Sequence, residues 1–427
     1  MMDITTPPLE RAIGIELYLT KTHGIGGKIR QRIDDFCVEE ITNRIEGTDG
    51  RYLIVELTKR DWDMHHLIRT LSRSLGISQK RFGWAGTKDK RALTKQKISI
   101  WDVDAEELQR VNLPGVELRT IGRSNKKVAL GDLWGNNFRI IVRDMDIPIE
   151  IARERMESIT SEIAQARGVP NFFGVQRFGT LRPITHLVGE ALVNCDVEKA
   201  ALIYLAKSSS REPESTRTAR DDLLKTRDFK SALKRFPTHL RYERAMLNVL
   251  ARDPDDYVGA FRVISTELQK MFVHAYQSYV FNRILSRRLK MGLPINSAIP
   301  GDVVCFTNKA GLPDVSRIQR TTDDNVDGIN NLIHKKRAFV TAPLLGYGSQ
   351  FADGKPGEVE RCIIDEMGIE LDNFRVSNMS ELASKGRRRE ILSLVMPITA
   401  IDEVMAMQFS LPKGSYATIV LREYMKN

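Results

Sequence analysis

The stretch FGWAGTKDKRALTKQ, residues 82–96, sets one carboxylate, Asp89, among Lys88, Lys90, Arg91 and Lys95. Opposite charges favour the ionised form of an acid. Asp89 would then stay a carboxylate beside a phosphate backbone, ready to act as a nucleophile or to stabilise positive charge. The cations around it would hold RNA phosphates. On spacing alone, the plainer reading is a solvated, self-neutralising turn. DWDMHH offers Asp61, Asp63, His65 and His66, residue types that bind a divalent metal in nucleases. Asp63, however, is better placed as a helix N-cap, and adjacent histidines cannot share one helical face. DDNVDG at 323–328 opens like a calcium loop, but its twelfth position is His334, so the bidentate glutamate is missing and a polar loop is expected.

Other candidates are aromatic or basic. NFFGVQRFG (171–179) pairs aromatics, which stack on bases, with Gln176 and with Arg177, which can hold phosphate. The same residues could pack under a glycine turn. In GNNFRI (135–140), Phe138 could stack on a flipped base while Asn136 reads its edge. Taken alone, a strand-core phenylalanine is the plainer reading. Arg283, Arg287, Arg288 and Lys290, and the segment SKGRRREIL (384–392), are either phosphate-facing or solvated.

The elements that must position these groups can be read from periodicity. Residues 51–60 read as a strand. The following segment reads as a helix through Leu67, Ile68, Leu71 and Leu75, stopped by Gly76. KQKISIWDV reads as the next strand, so Asp89 falls on a loop between helix and strand, turned at Gly86. Residues 135–145 read as a strand, and 150–168 as an amphipathic helix closed by Gly168. The middle of the chain, 196–236 and 267–292, reads as helical. Strand-like text returns in GSYATIVLREYM, 414–425. A helical region is thus inserted into a β-rich one.

Bulk properties narrow the classes. At 427 residues the chain holds two or three domains, taking roughly 150 residues for each. Its net charge of +10 favours a polyanionic partner. Cys37, Cys195, Cys305 and Cys362 are scattered without a CxxC pair, which fits a reducing compartment rather than a zinc ribbon or disulfide framework. No apolar run reaches the roughly 18 residues of a membrane span, so the expectation is a soluble, cytoplasmic protein with no membrane partner. No phosphate loop, dinucleotide fingerprint or serine-hydrolase elbow is present, and no nucleotide cofactor is expected.

In order along the chain, GGKIRQRIDDFCVEEI (26–41), GWAGTKDKRALTKQ, GNNFRI, GVPNFFGVQRFG (168–179), AYQSYVFN (275–282), TAPLLGYG (341–348) and LPKGSYATIVLREYM (411–425) resemble the TruD-type tRNA pseudouridine synthases, in the archaeal-like form. The resemblance implies an α+β fold. A pseudouridine-synthase catalytic domain with a mixed β-sheet and flanking helices, 1–169 plus 391–427, would be interrupted by a largely helical TruD insertion domain, 170–390. It implies isomerisation of a uridine, uridine 13 of tRNA, with the flipped base held in an inter-domain cleft and no cofactor or metal. Asp89 matches the catalytic aspartate, Phe138 the stacking phenylalanine, Asn136 the base-contacting asparagine and Lys88 the lysine before the aspartate. Arg30 aligns with a basic residue that is lysine in bacterial members, and the two are not interchangeable at a contact. Lys90, Arg91 and Arg177 are expected on RNA. Asp63-Met64 stands where relatives commonly carry Asn-Thr. Two rival functions remain on the residues themselves: a non-catalytic RNA-binding protein, and a metal-dependent nuclease using Asp61, Asp63 and the histidines.

Overall fold

The computed structural model describes residues 5–402 and 404–427. The chain divides into two compact units. One comprises Leu19–Val169, Asn308–Leu312 and Ser393–Asn427; the other comprises the residues up to Tyr18, Pro170–Thr307 and Pro313–Leu392.

The first unit is built on a mixed sheet. In chain order its strands are β1 (Lys28–Ile29), β2 (Phe36–Ile41), β3 (Tyr52–Arg60), β4 (Phe82–Trp84), β5 (Leu93–Trp101), β6 (Val116–Ser124) and β7 (Gly135–Arg143), followed by Ile398–Ile401 and Met405–Pro412. Across the sheet the order is Ile398–Ile401, Met405–Pro412, β7, β2, β5, β3, β6, with β1 on β7 and β4 on β5. Only β2 and β5 run parallel among these pairs, Val38 facing Thr94. In β3, Leu53, Ile54, Val55 and Leu57 are all buried, as expected of a strand covered on both faces. The helix Met64–Ser74 packs Met64, Leu67, Ile68 and Leu71 against Leu53, Val55, Leu57, Ile98 and Ile100. It starts where the sequence indicates, because the Asp63 carboxylate accepts the His66 amide at 2.9 Å.

Two local expectations are corrected. The Asp89 loop joins β4 to β5, an antiparallel pair, rather than following a helix directly, and Gly86 does not take a left-handed φ. The segment 414–425 is not a strand: Ala417–Met425 is a helix, and the C-terminal strand is Met405–Pro412, paired with β7 from Met405↔Val142 to Pro412↔Gly135. The helix was hard to see because it is buried nearly all round, so no polar stripe marks its 3.6-residue period. Even Glu423 is buried there, accepting from the Thr20 amide at 3.0 Å and from Arg422 at 2.6 Å.

In the second unit, the helix Thr266–Lys290 packs along Thr185–Val193. Gly189 permits the approach: a Cβ there would lie 2.0 Å from the Phe272 carbonyl oxygen. Residues up to Tyr18 belong with this helix, whose Asn282 Nδ2 donates to the Ile13 carbonyl at 2.9 Å and whose Ser286 Oγ donates to that of Gly14 at 2.8 Å. The unit also holds an antiparallel sheet ordered Pro313–Arg320, Val303–Thr307, Ala338–Leu344, Arg387–Glu390, which the helical reading of this region missed. The basic end of the long helix is ion-paired. Arg288 is buried on Asp302 at 2.6 Å, Arg287 meets Glu366 at 2.5 Å, and Lys290 meets Glu16.

Candidate active site

The loop that carries Asp89 is clamped by three side chains. Lys59, on β3, is completely buried, and its Nζ donates to the main-chain carbonyls of Asp89 at 2.7 Å and Trp62 at 2.8 Å. Gln96, on β5, donates from Nε2 to the Gly86 carbonyl at 3.1 Å. Lys88 turns inward from the loop and meets Glu40 Oε2, on β2, at 2.8 Å, with both side chains buried. Burial pushes the pKa of Lys59 down to about 8, and the charges of Asp89, Asp63 and Asp61 only partly offset it.

The clamp leaves the acid group outside. The Asp89 side chain is 42% exposed, and its Oδ1 lies 3.1 Å from Nη2 of Arg30. Arg30 is held at φ 58°, a left-handed conformation that costs a non-glycine residue on the order of 1–2 kcal/mol. Such strain persists where surrounding structure imposes it. Its guanidinium lies 4.1 Å from the centroid of the Phe36 ring. Phe36 meets Phe138 edge-on at 6.2 Å, and Phe138 stacks on Phe409 at 5.5 Å. Register brings the remaining group in, since β2 faces β7 with Val38↔Phe138 and Glu40↔Asn136. Asp89, Arg30, Lys88, Asn136 and Phe138 are therefore linked through two shared neighbours, Phe36 and Glu40. Asn136 Oδ1 and Arg30 Nε are buried without a hydrogen-bond partner among the described residues. Orphaned buried polar atoms are uncommon in native proteins and ask for a partner.

The cations next to Asp89 in sequence are not the ones that meet it. Lys95 pairs with Glu56 at 3.2 Å and Glu39 at 3.4 Å, on the side of the sheet those acids occupy. Lys90 and Arg91 are exposed. Arg91 lines an open polar recess of about 600 Å³ with Arg32, Arg60 and Asp61, where Arg60 is already gripped by Asp34 at 2.7 and 3.0 Å. Arg177 belongs to the second unit, its Nε 3.2 Å from Ser278 Oγ. Among the described residues, no group of three or more His, Cys, Asp or Glu is placed to hold a metal ion. His65 instead packs edge-on against Trp84 at 5.7 Å.

Sequence reasoning missed Lys59, Glu40 and Gln96. For Lys59 a signal existed. Leu53, Val55, Leu57 and Lys59 alternate on one face of β3, so a period of two already turned that lysine inward.

The mixed sheet with its helices is that of an RNA pseudouridine synthase, an isomerase. The family model for tRNA pseudouridine synthase D (TruD) matches residues 12–424, and the chain belongs to that family. It is 56% identical over 428 residues to a protein of Methanococcoides burtonii named "Probable tRNA pseudouridine synthase D", covering 98% of each. A protein of the same name from Methanosarcina barkeri is 54% identical, again over 98% of each. The crystal structure of a Methanosarcina mazei protein named "Putative tRNA pseudouridine synthase D (TruD)" superposes with a TM-score of 0.89 at 53% identity, covering 99% of this chain and 98% of that one. No helix among the described residues is long and apolar enough to cross a membrane.

Proposed function

We propose that the protein converts a uridine of tRNA, uridine 13, to pseudouridine, with Asp89 as the reacting carboxylate. The observation that carries this reading is the setting of Asp89. Its carboxylate is open to solvent and 3.1 Å from Arg30, while its own carbonyl is gripped from below by Lys59. An acid so held keeps a fixed position against a substrate sugar.

In the reaction the C1′–N1 bond breaks, the base turns, C1′ joins C5, the C5 hydrogen leaves as a proton and N1 gains one. Electrons and atoms balance within one nucleotide and the solvent. Positive character develops at C1′ as the bond breaks. Asp89 either attacks there or assists proton loss from the sugar. A uridine in folded RNA is extruded first, and Phe138 is the ring assigned to stack on it, with Asn136 Oδ1 available to its edge. Arg30 holds the carboxylate, Lys88 anchors the loop through Glu40, and Lys90, Arg91 and Arg177 are assigned to RNA phosphates.

The test is tritium release from C5-labelled, unmodified tRNA transcripts in EDTA, with wild type and Asp89→Asn. Release by wild type only, with tRNA binding intact in the variant, is expected. Equal release by both would remove Asp89 from the chemistry. Mapping the product to a position other than 13 would remove the site assignment.

A further inference from the structure

We propose that a cationic cavity within the second unit binds a phosphodiester of the RNA, giving that unit its own hold on the polyanion. This rests on the RNA-substrate reading above. The cavity measures about 300 Å³ and is lined by Phe173, Arg177, His274, Gln277, Lys385 and Arg387, among others; no aspartate or glutamate lines it. That volume lies at the lower end of ligand pockets, which run from about 300 to 1,000 Å³.

The distribution of charge in this unit singles the cavity out. Most of its buried arginines already face carboxylates: Arg288 on Asp302, Arg388 on Glu360, Arg220 on Glu243. Lys385 and Arg387 are exposed and make no ion pair among the described residues. Arg177 is directed along the wall by Ser278, whose own hydroxyl donates to the His274 carbonyl at 2.7 Å. Lys385 and Arg387, gathered without a counter-charge, repel one another, and an anion between them relieves that repulsion. Guanidinium groups add planar, paired donors suited to phosphate oxygens. Partial desolvation and then the charges of Arg177, Arg387 and Lys270 lower the pKa of His274, which agrees with a positive local field.

The cavity wall is fixed rather than loose. The Gly348 amide donates to the Lys385 carbonyl at 3.0 Å and the Tyr347 amide to that of Ser384 at 3.1 Å. Gln277 Nε2 donates to Ser384 Oγ at 2.8 Å. Gly386, at φ 83°, makes the turn that puts Lys385 and Arg387 on either side of it, and Arg387 is locked in register opposite Leu344. A preorganised wall lowers the ordering cost of binding.

The experiment measures the salt dependence of tRNA binding in chloride for the full chain, the double variant Lys385→Gln/Arg387→Gln, and the equally neutralised control Lys225→Gln/Lys234→Gln. Removing one phosphate-bound cation should lower the slope of log affinity against log salt by about 1. The expected result is a fall of about 2 in the cavity variant and none in the control. A second arm follows the His274 ring proton by NMR as inorganic phosphate is added. An unchanged slope in the cavity variant, or an equal fall in the control, overturns the proposal. If the slope is unchanged but phosphate shifts His274 saturably, the cavity serves a free phosphate and the RNA assignment is wrong. Absence of tritium release from wild type would count against the uridine-isomerising reading and not against the cavity, because the slope comparison needs no turnover.

Discussion

The buried ammonium of Lys59 donates at 2.7 Å to the main-chain carbonyl of Asp89, the residue whose carboxylate faces the other way toward Arg30. That carboxylate is thus fixed through its backbone by a side chain that never meets solvent. Lys59→Met should leave two partly buried carbonyls without their charged donor, costing about 1–3 kcal/mol each at most. It should lower kcat by on the order of 100-fold with little change in KM, the penalty of a displaced reacting atom. Single-turnover kinetics with saturating tRNA would check this, and a change confined to KM would contradict it.

The same residue sets a pH dependence. Its folded pKa, about 8, lies below the ordinary 10.5, so between these values the unfolded chain binds more protons. Stability therefore rises with pH across that window, and the cost of burying the charged form is present in full below it. Turnover should run oppositely, declining above about pH 8 as the ammonium facing Asp89, Asp63, Asp61 and Lys88 loses its charge. Lys59→Met should lack that alkaline limb, read from a pH–kcat profile.

Lys88 and Glu40 form a buried pair, so removing one partner strands the other. Glu40→Gln should destabilise the protein by about 3–5 kcal/mol, whereas Lys88→Met/Glu40→Leu should recover most of that loss. Urea unfolding of the single and double variants measures the coupling. Turnover should stay low in the double variant, because the loop has lost its inward anchor.

Phe138 is only 6% exposed and lies between Phe36 and Phe409. Phe138→Leu keeps most of the volume and should cost less than about 1.5 kcal/mol. If the ring also stacks on the extruded base, kcat should fall more than tRNA affinity. Equal losses in both would assign it to the core alone.

Acid sensitivity should centre in part on Asp35, which is buried against Arg143. Burial alone would raise its pKa, but the Arg143 hydrogen bonds at 2.8 and 2.9 Å and the Arg32 amide outweigh it and hold it below 3.8. A depressed carboxylate contributes stability above its unfolded pKa and loses it as pH falls through the folded one. Asp35→Asn should be less stable than wild type near neutral pH, with the gap narrowing below pH 3.8. Urea midpoints at the two ends would show it.

Much of the first unit's sheet was legible because β5 and β7 alternate buried and less buried positions along much of their length and Asp63 is an efficient cap. The last helix was not, since burial on all sides erases the pattern that distinguishes helix from strand. The charge around Asp89 misled in a specific way. Nearness in sequence suggested Lys88 and Lys95 as its partners, but both are drawn to glutamates on β2 and β3. Arg30 reached the site only through β2 and the Phe36 ring, a relationship with no local trace. The sheet of the second unit was hidden because its strands are short and separated by helices and loops.

The pairing of β7 with Met405–Pro412 has a consequence for synthesis. Phe138 meets Phe409 only after roughly 270 further residues have been made, which at about 5–20 residues per second takes on the order of 15–50 s. Through that interval β7 has β2 on one side and an unpaired edge on the other, with an aromatic ring uncovered. The first half of the sheet therefore leaves the ribosome as an open template, closed only when a distant segment of the same chain arrives to shield it.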